Sequence, residues 1–147
     1  MAKARTILIA DDSQRYTGLI KDAFARTGVE HTLHFIDNGE DAAAYLLGAP
    51  PFHDRAVHPS PDLLMLEVAL PLRTGFEVLE WLKSIVILRH IPVCLMSSFV
   101  VAGHRERAAE LGATWFHLKR AAPESWDRIV REMFAQSPKK PAPSDQK

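Results

Sequence analysis

Residues 63–71 read Leu63-Leu64-Met65-Leu66-Glu67-Val68-Ala69-Leu70-Pro71. Four apolar residues run into a carboxylate, and a proline closes the segment. An apolar run bounded this way reads as a buried strand, here 62–67. Working outward, the pattern repeats. Residues 6–10 (TILIA), 31–36 (HTLHFI), 91–96 (IPVCLM) and 114–118 (TWFHL) read as further strands. Helical spacing lies between them. Tyr16, Leu19, Ile20, Ala23 and Phe24 form one apolar face, with Ser13 as a cap and Gly28 as a stop. Residues 38–47 read as a second helix, with Ala42, Leu46 and Leu47 inward. Phe76, Leu79 and Leu82 mark a third. A fourth runs from about 102 to 111 and stops at Gly112. Trp126, Ile129, Val130, Met133 and Phe134 mark the last. Residues 48–61 are proline-rich and aperiodic, a surface loop.

Five strands alternating with five helices call for a mostly parallel sheet with helices on both faces. A chain of 147 residues has the length of one domain. The 18 Lys+Arg balance the 18 Asp+Glu, so the basic excess of a nucleic-acid or membrane-surface binder is missing. One cysteine, Cys94, excludes an intramolecular disulfide and a cysteine-based zinc site. The N-terminal apolar run is too short for a signal peptide, and no stretch approaches the roughly 20 apolar residues of a membrane span. A reducing cytoplasm is the expected location. The tail, 136–147, is polar and proline-rich and is expected to be disordered.

In such sheets the site lies outside the carboxyl ends of the strands. Strand one ends in Asp11 and Asp12, strand three in Glu67, strand four in Ser97 and strand five in Lys119. Any one of these is an ordinary cap or turn residue. Three acids, a hydroxyl and an amine on one edge suit phosphoryl transfer. Clustered carboxylates hold Mg²⁺, a carboxylate can act as a nucleophile, and cations neutralise the transferred oxygens.

The ordered motifs "ILIADDS", "PDLLMLEVALP" followed by "TGFEVL", "IPVCLMSS" and "GATWFHLK" resemble the receiver domain of two-component response regulators. The resemblance covers about residues 5–135. The proline-containing loop before strand three is similar to that of single-domain receivers that partner phytochrome-type histidine kinases. It implies a flavodoxin-like doubly wound sheet of five parallel strands with five helices. It implies that Asp11 and Asp12 are an acidic metal-binding pair, joined by Glu67 and by the backbone carbonyl of Ala69 around Mg²⁺. It also implies that Ser97 and Lys119 contact a phosphoryl group, and that Phe116 is an aromatic switch residue. Glu67 falls where the family has its phospho-accepting aspartate.

That glutamate is the first departure from the pattern. One extra methylene moves the carboxylate by about 1 Å, a misplacement that can cost on the order of 100-fold in an in-line reaction. Phosphorylation at Glu67 is therefore expected to fail, and its charge is expected to reach toward Lys119 or Ser97. Arg120 stands where the family usually has a proline behind a cis bond. A non-proline cis bond costs about 3–4 kcal/mol, so Lys119–Arg120 is expected to be trans and the aim of Lys119 is open. Thr74 stands where aspartate is frequent.

The seven histidines lack metallohydrolase spacing and are expected to be solvated. His31 and His34 lie on opposite faces of their strand. Cys94 is expected to be buried and inert. Trp115, with Phe116, is expected on a partner face. The leading functional expectation is a signalling module with no catalytic residues. Its partner would be a signalling protein such as a histidine kinase, or a second copy met through helix four, strand five and helix five. The alternatives are a Mg²⁺-dependent phosphotransfer or phosphatase-type enzyme, and a working phosphoswitch despite Glu67.

Overall fold

The computed structural model describes residues 4–28 and 30–136. The expected tail therefore lies, from residue 137 on, outside the described residues. The elements run β1 (Arg5–Ala10), α1 (Gln14–Thr27), β2 (His31–Ile36), α2 (Gly39–Leu47), β3 (Leu63–Glu67), α3 (Gly75–Lys83), β4 (Val93–Ser97), α4 (His104–Glu110), β5 (Trp115–Leu118) and α5 (Pro123–Gln136). All four strand pairings are parallel. The order β2-β1-β3-β4-β5 is the flavodoxin-like doubly wound order, with its switch point between β1 and β3.

Side-chain parity divides the core, because successive residues of a strand face opposite sides of the sheet. Ile7, Ile9, Leu63, Met65, Cys94, Met96 and Trp115 pack with α1 and α5. Leu8, Ala10, Leu64, Leu66, Val93 and Leu95 pack with α2, α3 and α4. The two helices of the first layer are tied by Arg26, whose Nε and Nη2 both donate to Asp127 Oδ1. Parity also overturns one expectation. Trp115 shares the side of Cys94 and Met96 and is only 6% exposed, so it belongs to the core and not to a partner face. Cys94 is fully buried, and burial pushes its thiol pKa up.

The boundaries follow local chemistry. Ser13 Oγ accepts from Tyr16 N–H at the start of α1, and Gly28 ends that helix in the left-handed region, φ 73°. Thr74, which stands where aspartate is frequent, forms a reciprocal capping box with Glu77. α4 starts at His104 and not near 102, because Gly103 takes φ 87° ahead of it. The loop at 48–61 lies at the surface but is pinned. Arg55 donates to the carbonyls of Tyr45, Leu46 and His58, and Tyr45 Oη donates to Pro59 O. His34 is not solvated as expected: it packs beside Tyr45 and His58, and burial, then His58, lowers its pKa.

The turn after β3 comes back onto that strand's end. Gly75 N donates to Val68 O at 2.8 Å, and a Cβ on Gly75 would lie 2.3 Å from the Glu67 carbonyl oxygen. Gly75→Ala is expected to destabilise the fold by about 1–3 kcal/mol, the range for overpacking. Gly18, inside α1 and exposed, has nothing within 4 Å of a built Cβ. Gly18→Ala is expected to stabilise by about 0.5–1 kcal/mol. Urea denaturation should give the two variants opposite signs, and a neutral Gly75→Ala would contradict the close return of this turn.

Candidate functional site

Backbone ladders extend one residue past the strands and fix where the site side chains start. Asp11 N donates to Ile36 O at 2.9 Å and Lys119 N to Ser97 O at 2.8 Å. By parity, Asp11, Glu67 and Lys119 continue the rows 7-9-11, 63-65-67 and 115-117-119 on the α1 and α5 side. Ser97 continues the row of Val93 and Leu95 on the other side.

The three parity-matched side chains meet. Lys119 Nζ donates to Glu67 Oε1 at 2.5 Å and lies 2.7 Å from Asp11 Oδ2. The second contact is an ion pair outside hydrogen-bond alignment. The remaining oxygens are also engaged: Ala69 N donates to Glu67 Oε2 at 2.8 Å, and Ser13 N donates to Asp11 Oδ1 at 2.9 Å. Glu67 is 3% exposed and Lys119 6%. Burial pulls the ammonium pKa down, but pairing with Asp11 and Glu67 outweighs it, so the pKa lies above its ordinary 10.5. The Lys119–Arg120 bond is trans, since the sole cis peptide among the described residues is Pro50–Pro51. Lys119 enters the pocket all the same.

The other expected site residues stand apart. Asp12 is exposed and lines a neighbouring acidic cavity of about 370 Å³ with Asp11, Asp37 and Asp41. Ser97 is buried, and its hydroxyl is used within its own turn, donating to Phe99 O and accepting from Phe99 N. Ala69 meets Glu67 through its N–H. Phe116 is half-buried against the α2–α3–α4 core, with the Arg105 guanidinium 5.1 Å above its ring.

The donor set does not fit a magnesium ion as arranged. Lys119 already sits between the two carboxylates that would have to face the ion. Among the described residues no three His, Cys, Asp or Glu side chains are grouped to hold a metal.

Sequence reasoning passed over two residues at this site. Tyr16 and Trp126 were read as helix faces only. The Tyr16 ring centroid lies 4.4 Å from Lys119 Nζ, and Trp126 Nε1 donates to Arg120 O at 2.7 Å. The available signal was positional, since both sit in the first turn of helices that start at the strand ends.

On the flank, a cavity of about 420 Å³ opens over β5, between α4 and α5, lined in part by Arg105, Arg120, Arg128, Ser125, His117 and Glu132. His117 Nε2 stands 3.0 Å from Glu132 Oε1. Burial lowers the imidazole pKa, and Glu132 offsets only part of that.

The comparisons with known proteins agree with one another. The model of the response regulator receiver domain matches residues 7–131. The polar-differentiation response regulator DivK of Brucella anthropi is 32% identical over 108 residues, which is 74% of this chain and 78% of DivK. The crystal structure of the phosphorylated cyanobacterial phytochrome response regulator RcpA superposes with a TM-score of 0.83 at 25% identity, covering 95% of this chain and 100% of that one. Response regulator RPA3017, from red light signaling of R. palustris, gives a TM-score of 0.83 at 25% identity over 94% of this chain and 99% of that one.

The charge arrangement gives a pH test. A raised folded-state pKa on Lys119 contributes stability that is fully present below the unfolded value near 10.5. That contribution is lost as pH rises through the higher folded value. At pH 7 Lys119→Met is expected to cost about 3–5 kcal/mol, because it strands two buried carboxylates. In urea melts, the gap between wild type and Lys119→Met should narrow above pH 10.5. A gap that stays constant into that range would contradict the ion pairing.

Proposed function

The chain belongs to the response regulator receiver family, and on that premise we propose that it is a receiver in two-component signalling whose pocket carboxylates are held by its own lysine instead of being switched by phosphorylation. In this reading Glu67 takes the place of the phospho-accepting aspartate, and its longer side chain holds Lys119 directly. The observation that carries it is the state of the Glu67 carboxylate. Oε1 accepts from Lys119, Oε2 accepts from Ala69 N–H, and the group is buried. An in-line nucleophile needs an oxygen aimed at the incoming group, whereas both Glu67 oxygens are turned toward partners inside the protein, Lys119 and the Ala69 N–H. The same state weighs against a phosphatase-type enzyme, which needs a nucleophile and a separate acid. The mimicry of a phosphoryl group is partial, since that group carries more charge and more acceptor oxygens.

The module acts through protein contacts on the face formed by α4, β5 and α5. That face carries three arginines against one carboxylate around its cavity, on a chain whose total charge is balanced. Charge complementarity favours a signalling partner with an acidic surface. A second copy presenting the same arginines matches less well. The likeness to response regulators of phytochrome and red-light systems supports a histidine kinase as the upstream partner.

Intact-mass analysis after incubation with a small-molecule phosphodonor and magnesium tests the reading. Glu67→Asp is expected to gain one phosphoryl group while wild type gains none. A gain in wild type would overturn it. A gain in neither would move the block from Glu67 to the segment around Lys119–Arg120.

A further inference from the structure

Lys119 reaches the pocket although Arg120 follows it and their peptide bond is trans. Two aromatic side chains account for this. The Lys119 ammonium has three N–H donors. Asp11 and Glu67 take it from two directions. Toward α1 it meets the face of Tyr16, 4.4 Å from the ring centroid, which is within the range of a cation–π contact. Lys119 is almost wholly buried, so an aliphatic side chain at position 16 would leave the face of the ammonium turned away from the two carboxylates without a cation–π contact. At the backbone end, Trp126 Nε1 donates to Arg120 O at 2.7 Å. Trp126 is fully buried, so this hydrogen bond fixes the carbonyl immediately after Lys119 to the rigid start of α5. The two rings adjoin, with centroids 6.1 Å apart and planes at 59°. One pair thus holds the lysine at both ends.

We propose that Tyr16 and Trp126 are the positioning residues of Lys119, the first covering its ammonium and the second anchoring its backbone, and that together they replace the conformational constraint a proline at position 120 would supply. The inference rests on the reading of Lys119 as the cation of the pocket. It does not depend on whether Glu67 blocks phosphorylation, so the mass experiment can fail without touching it.

The test is the exchange rate of the Lys119 ammonium protons with water, followed by ¹⁵N NMR in the full chain. Tyr16→Leu is expected to raise that rate about tenfold, the scale of a lost desolvated cation–π contact, and Tyr16→Phe should restore the wild-type rate. Trp126→Phe keeps the ring, removes the donor, and is expected to raise the rate about tenfold through the unpaired Arg120 carbonyl. Phe24→Leu, a core variant on the same side of the sheet, should lower the melting temperature and leave the rate unchanged. Wild-type exchange in Tyr16→Leu and Trp126→Phe would overturn the proposal. So would an equal rise in Phe24→Leu, which would reduce both residues to general packing.

Discussion

One ammonium between two carboxylates organises this end of the molecule. Lys119 joins Asp11 on β1 to Glu67 on β3 across the switch point of the sheet. Three strand ends are thereby tied by one charge. Two carboxylates packed this closely repel unless a cation lies between them. The protein supplies that cation covalently, from its own fifth strand. Its neighbours support this contact: the N–H groups of Ser13 and Ala69 take the remaining oxygens, and Gly75 lets the turn after β3 fold back closely over the Glu67 backbone.

Much of this was legible in the sequence. The strands could be read to within two residues: β1, β3 and β4 are buried almost throughout and read as continuous apolar runs, while the edge strands β2 and β5 are only partly buried and carry polar residues among the apolar ones. The chemistry-bearing residues could be placed on one edge because parallel strands all end there. Contacts that depend on a turn were not legible. Ser97 was expected to face the pocket, but its hydroxyl closes a turn with Phe99. Trp115 was expected on a partner face, whereas its own parity sends it into the core. Tyr16 and Trp126 showed only helical spacing. An aromatic ring that serves as core and as a cation's cover leaves the same pattern as one that serves as core alone.

The departures expected from the family resemblance at positions 67 and 120 cohere physically under the proposed function. A longer acid at position 67 can touch the lysine without a bridging phosphoryl group. A residue other than proline at position 120 allows a trans bond, and the lysine is then secured by aromatic side chains. Under the proposed function, both changes favour a pocket whose carboxylates are held by the protein's own lysine. Two charged features left to solvent are the acidic cavity beside α1 and α2 and the arginine-lined cavity over β5. They lie toward opposite edges of the sheet, which suits a module that is read by its surfaces.

The account stands on the direct pairing of Glu67 with Lys119. A double-mutant cycle of Glu67→Gln, Lys119→Met and the combined variant, measured by urea unfolding at neutral pH, isolates that pairing. The account predicts a coupling energy of about 2 kcal/mol or more, toward the upper range for contacting residues, with the lysine substitution much less damaging once Glu67 is neutral. A coupling below about 0.5 kcal/mol, the level of independent sites, would contradict it.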